Sequence, residues 1–157
     1  MNVRNKTSQA DDAVLLIRGI KQQITDRSAK IDAKAPIGRA LEDLKRSLDA
    51  VENEIYQTKL QSSQDPLNFP IKLNNKIAAL QGVIESADVA PTEQTYSVFR
   101  TLAGQLDDQL AKLDAAVKTN LPQINQQLQR QKLEPIRPVP LKVEPAKAVT
   151  SSSGTER

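Results

Sequence analysis

Cysteine, histidine and tryptophan do not occur in this chain of 157 residues. Their absence removes disulfide staples, thiol nucleophiles, zinc sites of the Cys/His type and imidazole acid-base catalysis. Aromatic residues make up 3% and hydrophobic residues 38%, so any core must be built from Leu, Ile, Val and Ala. No stretch alternates polar and apolar residues long enough to suggest a strand, which leaves helices. No run approaches the roughly 18–20 apolar residues that cross a bilayer, so no membrane span is expected. The start, MNVRNKTSQADDAVLL, has no apolar core before its acidic pair and does not read as a signal peptide. As written, the chain is expected to stay in the cytoplasm.

The formal charge of +3 is unevenly spread. Residues 1–129 carry 16 Lys/Arg and 16 Asp/Glu, whereas residues 130–157 carry six against three. A nucleic-acid reader concentrates its cations on one face, interleaved with aromatic or Gly-rich segments. Six cations scattered through a Pro-rich tail do not, and no nucleic-acid partner is expected.

Apolar spacing predicts four amphipathic helices. The first opens near Thr7 or Ser8 and carries Ala10, Ala13, Ile17, Ile20, Ile24 and Ile31. Pro36 ends that segment, and Ile37, Leu41, Leu44, Leu48, Val51 and Ile55 follow at alternating steps of four and three, the cleanest seam in the chain. The third helix, about 70–86, carries Leu73, Ile77, Leu80 and Ile84; Pro66 and Pro70 precede it, and Asp88 and Pro91 separate it from the fourth. The fourth runs from about residue 92 to at least 120 on Phe99, Ala103, Leu106, Leu110, Leu113 and Val117. Beyond Val117 the seam resumes at Leu121, Ile124 and Leu128, displaced by one residue where Pro122 falls, which predicts a kink or restart. The fold class is therefore all-α: an up-and-down antiparallel helical bundle of three long helices and one short, over residues 1–133. Residues 134–157, EPIRPVPLKVEPAKAVTSSSGTER, hold four prolines and no heptad. They are expected to form an extended or disordered tail, with Leu133, Ile136, Val139 and Leu141 able to line a groove of a partner or of the bundle.

The carboxylate pairs Asp11/Asp12, Glu42/Asp43, Glu52/Glu54 and Asp107/Asp108 are the only constellation resembling hydrolytic chemistry. Glycoside hydrolysis needs two carboxyls facing each other across a cleft at roughly 5–9.5 Å, while near-adjacent helical residues point apart, so these read as solvated surface. Asn74 borders the third helix's stripe and is positioned to bond across to a neighbour, whereas Asn75 points away. Gly19, Gly82 and Gly104 lie inside helices, each costing roughly 0.5–1 kcal/mol against alanine, and either permit close crossings or are simply tolerated. Tyr56, Phe69, Tyr96 and Phe99 read as core plugs rather than a sugar-stacking platform. No catalytic, cofactor-binding or metal-ligating residue is assigned, and no cofactor is expected.

The segment IYQTKLQSSQDPLNFPIKLNNKIAALQGVIESADVAPTEQTYSVFRTLAGQLDDQLAKLD, within a likeness running from about Asp12 to Ile136, resembles the C-terminal helical region of bacterial sortilin-like proteins with BNR-repeat β-propellers, often described as glycosyl-hydrolase-like. The resemblance implies that any ligand-binding or hydrolytic site belongs to a propeller that this sequence lacks, and that a split gene product, a truncated reading frame or a detached module is at hand. Large members of that family look exported. The resemblance implies a non-catalytic accessory module packing against a propeller-bearing protein. The alternative is a helical protein whose seams zip it into a homo-oligomer. In either case Leu80→Asp or Leu106→Asp is expected to unfold the bundle, and Asp107→Asn with Asp108→Asn to leave it folded.

Overall fold

A computed structural model describes residues 2–57, 70–86 and 90–141. These form an all-α bundle, with no strand among the described residues: α1 (Val3–Ser28), α2 (Pro36–Ile55), α3 (Leu73–Ser86), α4 (Glu93–Ala115) and α5 (Leu121–Arg130), the last two joined by one wide π turn (Ala116–Asn120). α1 begins four to five residues earlier than its spacing suggested. Asn2 caps it by accepting the Asn5 amide at 3.0 Å, so the Thr7 hydroxyl is free to bond back to the Val3 carbonyl. Pro36 takes the first position of α2, where its missing N–H has no partner to lose. Thr92 caps α4 by accepting the Thr95 amide. Phe69, Pro66 and Asp88 lie outside the described residues.

Contacts along α1 define the topology. Arg18 and Lys21 meet Glu52 and Asp49 of α2, while Asp11 and Arg4 meet Asn74 and Glu85 of α3. Descending α1 from residue 21 to residue 4, one passes 49, 52, 74 and 85 in order. α2 and α3 therefore run in the same direction, one after the other, both antiparallel to α1. The ends of their connection meet where the Gln57 amide donates to the Pro70 carbonyl at 2.9 Å. α4 lies against both, antiparallel, and α5 continues along α2.

The seam of α2 is buried along its whole length: Ile37, Leu41, Leu44, Leu48, Val51 and Ile55. They face Ala10, Ala13, Val14, Ile17, Ile20 and Ile24 of α1. On the third rod, burial falls on Leu106, Leu113, Ala116, Leu121, Ile124 and Leu128. The five-residue step from Ala116 to Leu121 is the displaced register seen in the sequence. The Leu121 amide bonds the Ala116 carbonyl, an i→i+5 closure that absorbs the extra residue ahead of Pro122. Leu80 is only half-buried, so its place on the inward face of α3 is corrected; Leu73 and Ile77 carry that face.

The segment from Glu134 is not solvated throughout. Residues 134–141 form a strap packed on the bundle, with Ile136 1% exposed and a γ turn around Pro138, where the Val139 amide bonds the Arg137 carbonyl at 2.8 Å. α5 makes no close backbone approach to α1, and the strap bonds to both helices, occupying the gap between them. The turn into it is a Schellman closure. The Leu133 amide reaches the Leu128 carbonyl at 2.9 Å and the Lys132 amide the Gln129 carbonyl at 3.0 Å. Lys132 sits at φ 60, the one non-glycine in the left-handed region among the described residues.

Two outcomes follow from this packing. Leu106→Ala should cost about 2–5 kcal/mol in urea unfolding, and Leu80→Ala about 1 kcal/mol or less; equal costs would show that the inward face of α3 is misassigned. Lys132→Gly should raise stability by about 0.5–1 kcal/mol, because glycine takes the left-handed conformation without steric cost. A fall on that substitution would place Lys132 outside this conformation in solution.

Candidate functional site

The carboxylates weighed in the sequence scatter over the molecule. Asp11 accepts a 2.6 Å hydrogen bond from Asn74, which is the cross-helix bond expected of that asparagine, and Asn75 is exposed. Glu42 and Asp43 lie on the outer face of α2, Asp43 paired with Arg46 at 3.5 Å. Asp107 pairs with Lys6, Asp108 is exposed, and Glu54 pairs with Lys72 at 3.7 Å. Among the described residues, no cluster of three or more acidic side chains is arranged to hold a metal ion.

Glu52 departs from the solvated reading and is corrected. Its side chain is 4% exposed. A buried carboxylate persists only with charge partners and filled lone pairs. Glu52 has both: Arg18 donates through Nε at 2.7 Å to one oxygen, and Lys21 through Nζ at 2.8 Å to the other. Lys21 also pairs with Asp49. The Arg18 guanidinium lies 5.2 Å from the centroid of the Tyr56 ring, within cation–π range. Tyr56 is thereby explained, and not as a core plug: it is more than a third exposed, as is Tyr96. Phe99 alone of the three described aromatics packs against the core, and it does so part-buried.

This cluster fixes register. Arg18 and Lys21 stand three apart on one face of α1, and Asp49 and Glu52 three apart on the facing side of α2. Both crossings, 18 with 52 and 21 with 49, are centred on Ala35 in the turn. A slip of one residue would leave Glu52 buried without a partner. Both oxygens of Glu52 are filled by this pairing, while Arg18 and Asp49 keep part of their charged ends in solvent.

A groove of about 690 Å³ lies on the opposite side of α2, between it and the π turn. Ser47, Ala50 and Val51 form one wall and Ala115, Ala116 and Thr119 the other, with Glu54 and Lys112 at the rim. Small side chains on both walls keep it open, and the π turn shapes its far side. Its lining has neither a nucleophile with an adjacent base nor two facing carboxyls.

The glycines divide sharply. A Cβ on Gly82 or Gly104 would meet nothing within 4 Å, so neither serves a close crossing. A Cβ on Gly19 would lie 2.1 Å from the Val139 carbonyl oxygen and 2.9 Å from the Leu141 amide. Gly19 is the notch that admits the strap.

No family model, no curated protein and no solved structure matches this chain. The fold and the side-chain geometry therefore carry the functional reading.

Burial pulls the Lys21 ammonium down, and the hydrogen bonds and charges of Asp49 and Glu52 more than offset it, leaving its pKa above the ordinary 10.5. A folded value above the unfolded one means that the stabilisation is complete below pH 10.5 and is lost as pH rises through the folded value. The stability difference between the native chain and Lys21→Met should hold constant from neutral pH until the pH nears 10.5. It should shrink in alkaline solution, as measured by urea unfolding. A difference that instead vanishes on acidifying to pH 6 would mean that Lys21 does not serve this ion pair.

Proposed function

We propose that this chain is a non-catalytic helical interaction module that docks on another protein through the tip of its α3–α4 hairpin. One observation carries the reading. No side chain from Ala78 to Ser86 on α3, or from Glu93 to Gln105 on α4, is fully buried. Yet those stretches hold Leu80, Val83, Tyr96 and Val98, beside Ile84, Phe99 and Leu102, which pack part-buried against the core. Val83 is 60% exposed and Val98 43%. A two-helix hairpin with a thin core of its own gains stability by burying such side chains against a partner, at roughly 25 cal/mol per Å² of apolar surface. The ion pairs of Asp43, Glu52, Glu54 and Asp107 support the non-catalytic part of the reading, since paired groups are committed to structure.

A propeller-bearing protein is the partner to test first, because the segment most similar to the helical regions of sortilin-like proteins includes both helices of this hairpin. Co-expression with a propeller-bearing protein encoded beside this chain should give a complex that survives purification. Val83→Asp with Val98→Asp should abolish it while leaving the melting temperature of the free chain unchanged, as exposed substitutions do. Glycosidase turnover by the purified chain, lost on a carboxylate substitution that preserves the fold, would overturn the non-catalytic reading. A homodimer by light scattering that the same two substitutions dissolve, with no propeller captured, would replace the partner by a second copy.

A further inference from the structure

We propose that the groove between α1 and α5 is a binding site for a proline-flanked peptide of another protein, held shut in cis by residues 134–141 of this chain. The groove reads main chain. Asn125 grips both backbone groups of Ile136, accepting its N–H at 2.7 Å and donating to its carbonyl at 2.9 Å. Gln23 treats Arg137 in the same way at 2.9 and 2.8 Å. The Leu15 carbonyl accepts the Leu141 amide at 2.9 Å, and Arg27 Nε donates to the Glu134 carbonyl at 3.0 Å. Two carboxamides, one from each wall and each satisfying both backbone groups of one residue, form a fixed frame for the passing main chain.

The same contacts define the ligand class. Amides are required at the positions of Ile136, Arg137 and Leu141, and the prolines 135, 138 and 140 fall where the groove asks for none. One side chain is anchored, Ile136, while Val139 and Leu141 remain 50% and 39% exposed. The site therefore selects a segment with a buried aliphatic residue between prolines and a γ turn at the second of them. Gly19 narrows this further, since the carbonyl of residue 139 sits where a Cβ would be.

The cis occupant is held by these six hydrogen bonds and buries one side chain. Its short tether closes only by forcing Lys132 into the left-handed region. A separate peptide needs no such turn. The tether still confers a high effective concentration on the cis segment, so a trans ligand binds with its affinity divided by the closed-state excess.

The test uses the full chain and the labelled synthetic peptide EPIRPVPL, followed by fluorescence anisotropy. Ile136→Asp removes the anchor and leaves the groove intact, so amide exchange at Arg137 and Leu141 should quicken and peptide affinity should rise by about tenfold or more over the native chain. Adding Gly19→Ala to that variant fills the notch, keeps a good helix former in α1, and should abolish the binding. Ile136→Ala serves in the same way if circular dichroism shows that the aspartate variant has unfolded. Affinity no higher than that of the native chain in a folded, anchor-less variant would overturn the proposal, as would equal binding with Gly19→Ala present or unchanged exchange at Arg137 and Leu141.

Discussion

The aliphatic stripe of α1 is the constraint from which the rest of this structure follows. With no tryptophan and few aromatics, the core is filled by Leu, Ile, Val and Ala, which reach only a short way from a helix axis and need close neighbours on both sides of the stripe. α1 has 26 residues and is therefore about 39 Å long, whereas the 20 residues of α2 cover about 30 Å. No single antiparallel partner in this chain covers α1. α3 takes over where α2 stops, and the third rod must serve both halves, which explains its much greater length. α4 packs on α1, α2 and α3, and the π turn lets the rod continue along α2 as α5 without losing its inward residues. It also carries α5 away from α1 and opens the space that the strap fills.

Within this arrangement the buried ion pair has a specific task. Desolvating Glu52 costs several kcal/mol, and its attraction to Arg18 and Lys21 offsets much of that only in one geometry. An aliphatic seam stepping four and three tolerates a slide of a full heptad, because every knob finds an equivalent hole. A carboxylate with two cations does not tolerate it. The α1–α2 hairpin thus takes its register from Glu52 and its stability from the six aliphatic positions beside it.

The sequence revealed most where burial and covalent geometry act alone. The six-residue seam of α2 was legible because every member is buried, and Pro36 and the displaced seam near Pro122 marked real changes in backbone course. Burial that depends on tertiary placement was not legible. Leu80 fits the stripe of α3 by spacing, yet Ile77 and Ile84 carry the contact with the core and leave it half-buried. Glu52 has the polarity of a surface residue, and only its symmetry with Arg18 about Ala35 signals a paired interior position. Nothing local to Gln23 and Asn125 shows that a distant backbone will cross them. Gly19 did carry a trace of the strap, a glycine on the buried face of an otherwise Ile- and Val-rich helix, but identifying what it admits requires the fold.

The two surfaces differ in the physics that would fill them. The hairpin tip presents apolar side chains with few directional groups, so affinity there scales with buried area and selects shape loosely. The strap groove presents carboxamides and a carbonyl at fixed positions, so it rejects any segment that leaves them unpaired, because an unsatisfied buried amide costs about 1–3 kcal/mol. They lie toward opposite ends of α1, the tip beside Arg4 and the groove from Leu15 to Arg27. Energetic effects of sites separated by more than about 7–10 Å without shared partners add nearly independently. Occupancy of the groove can therefore be set by competition with the strap while the tip remains engaged, and any coupling between the two would have to pass along α1, along α2 or along the continuous rod of α4, the π turn and α5.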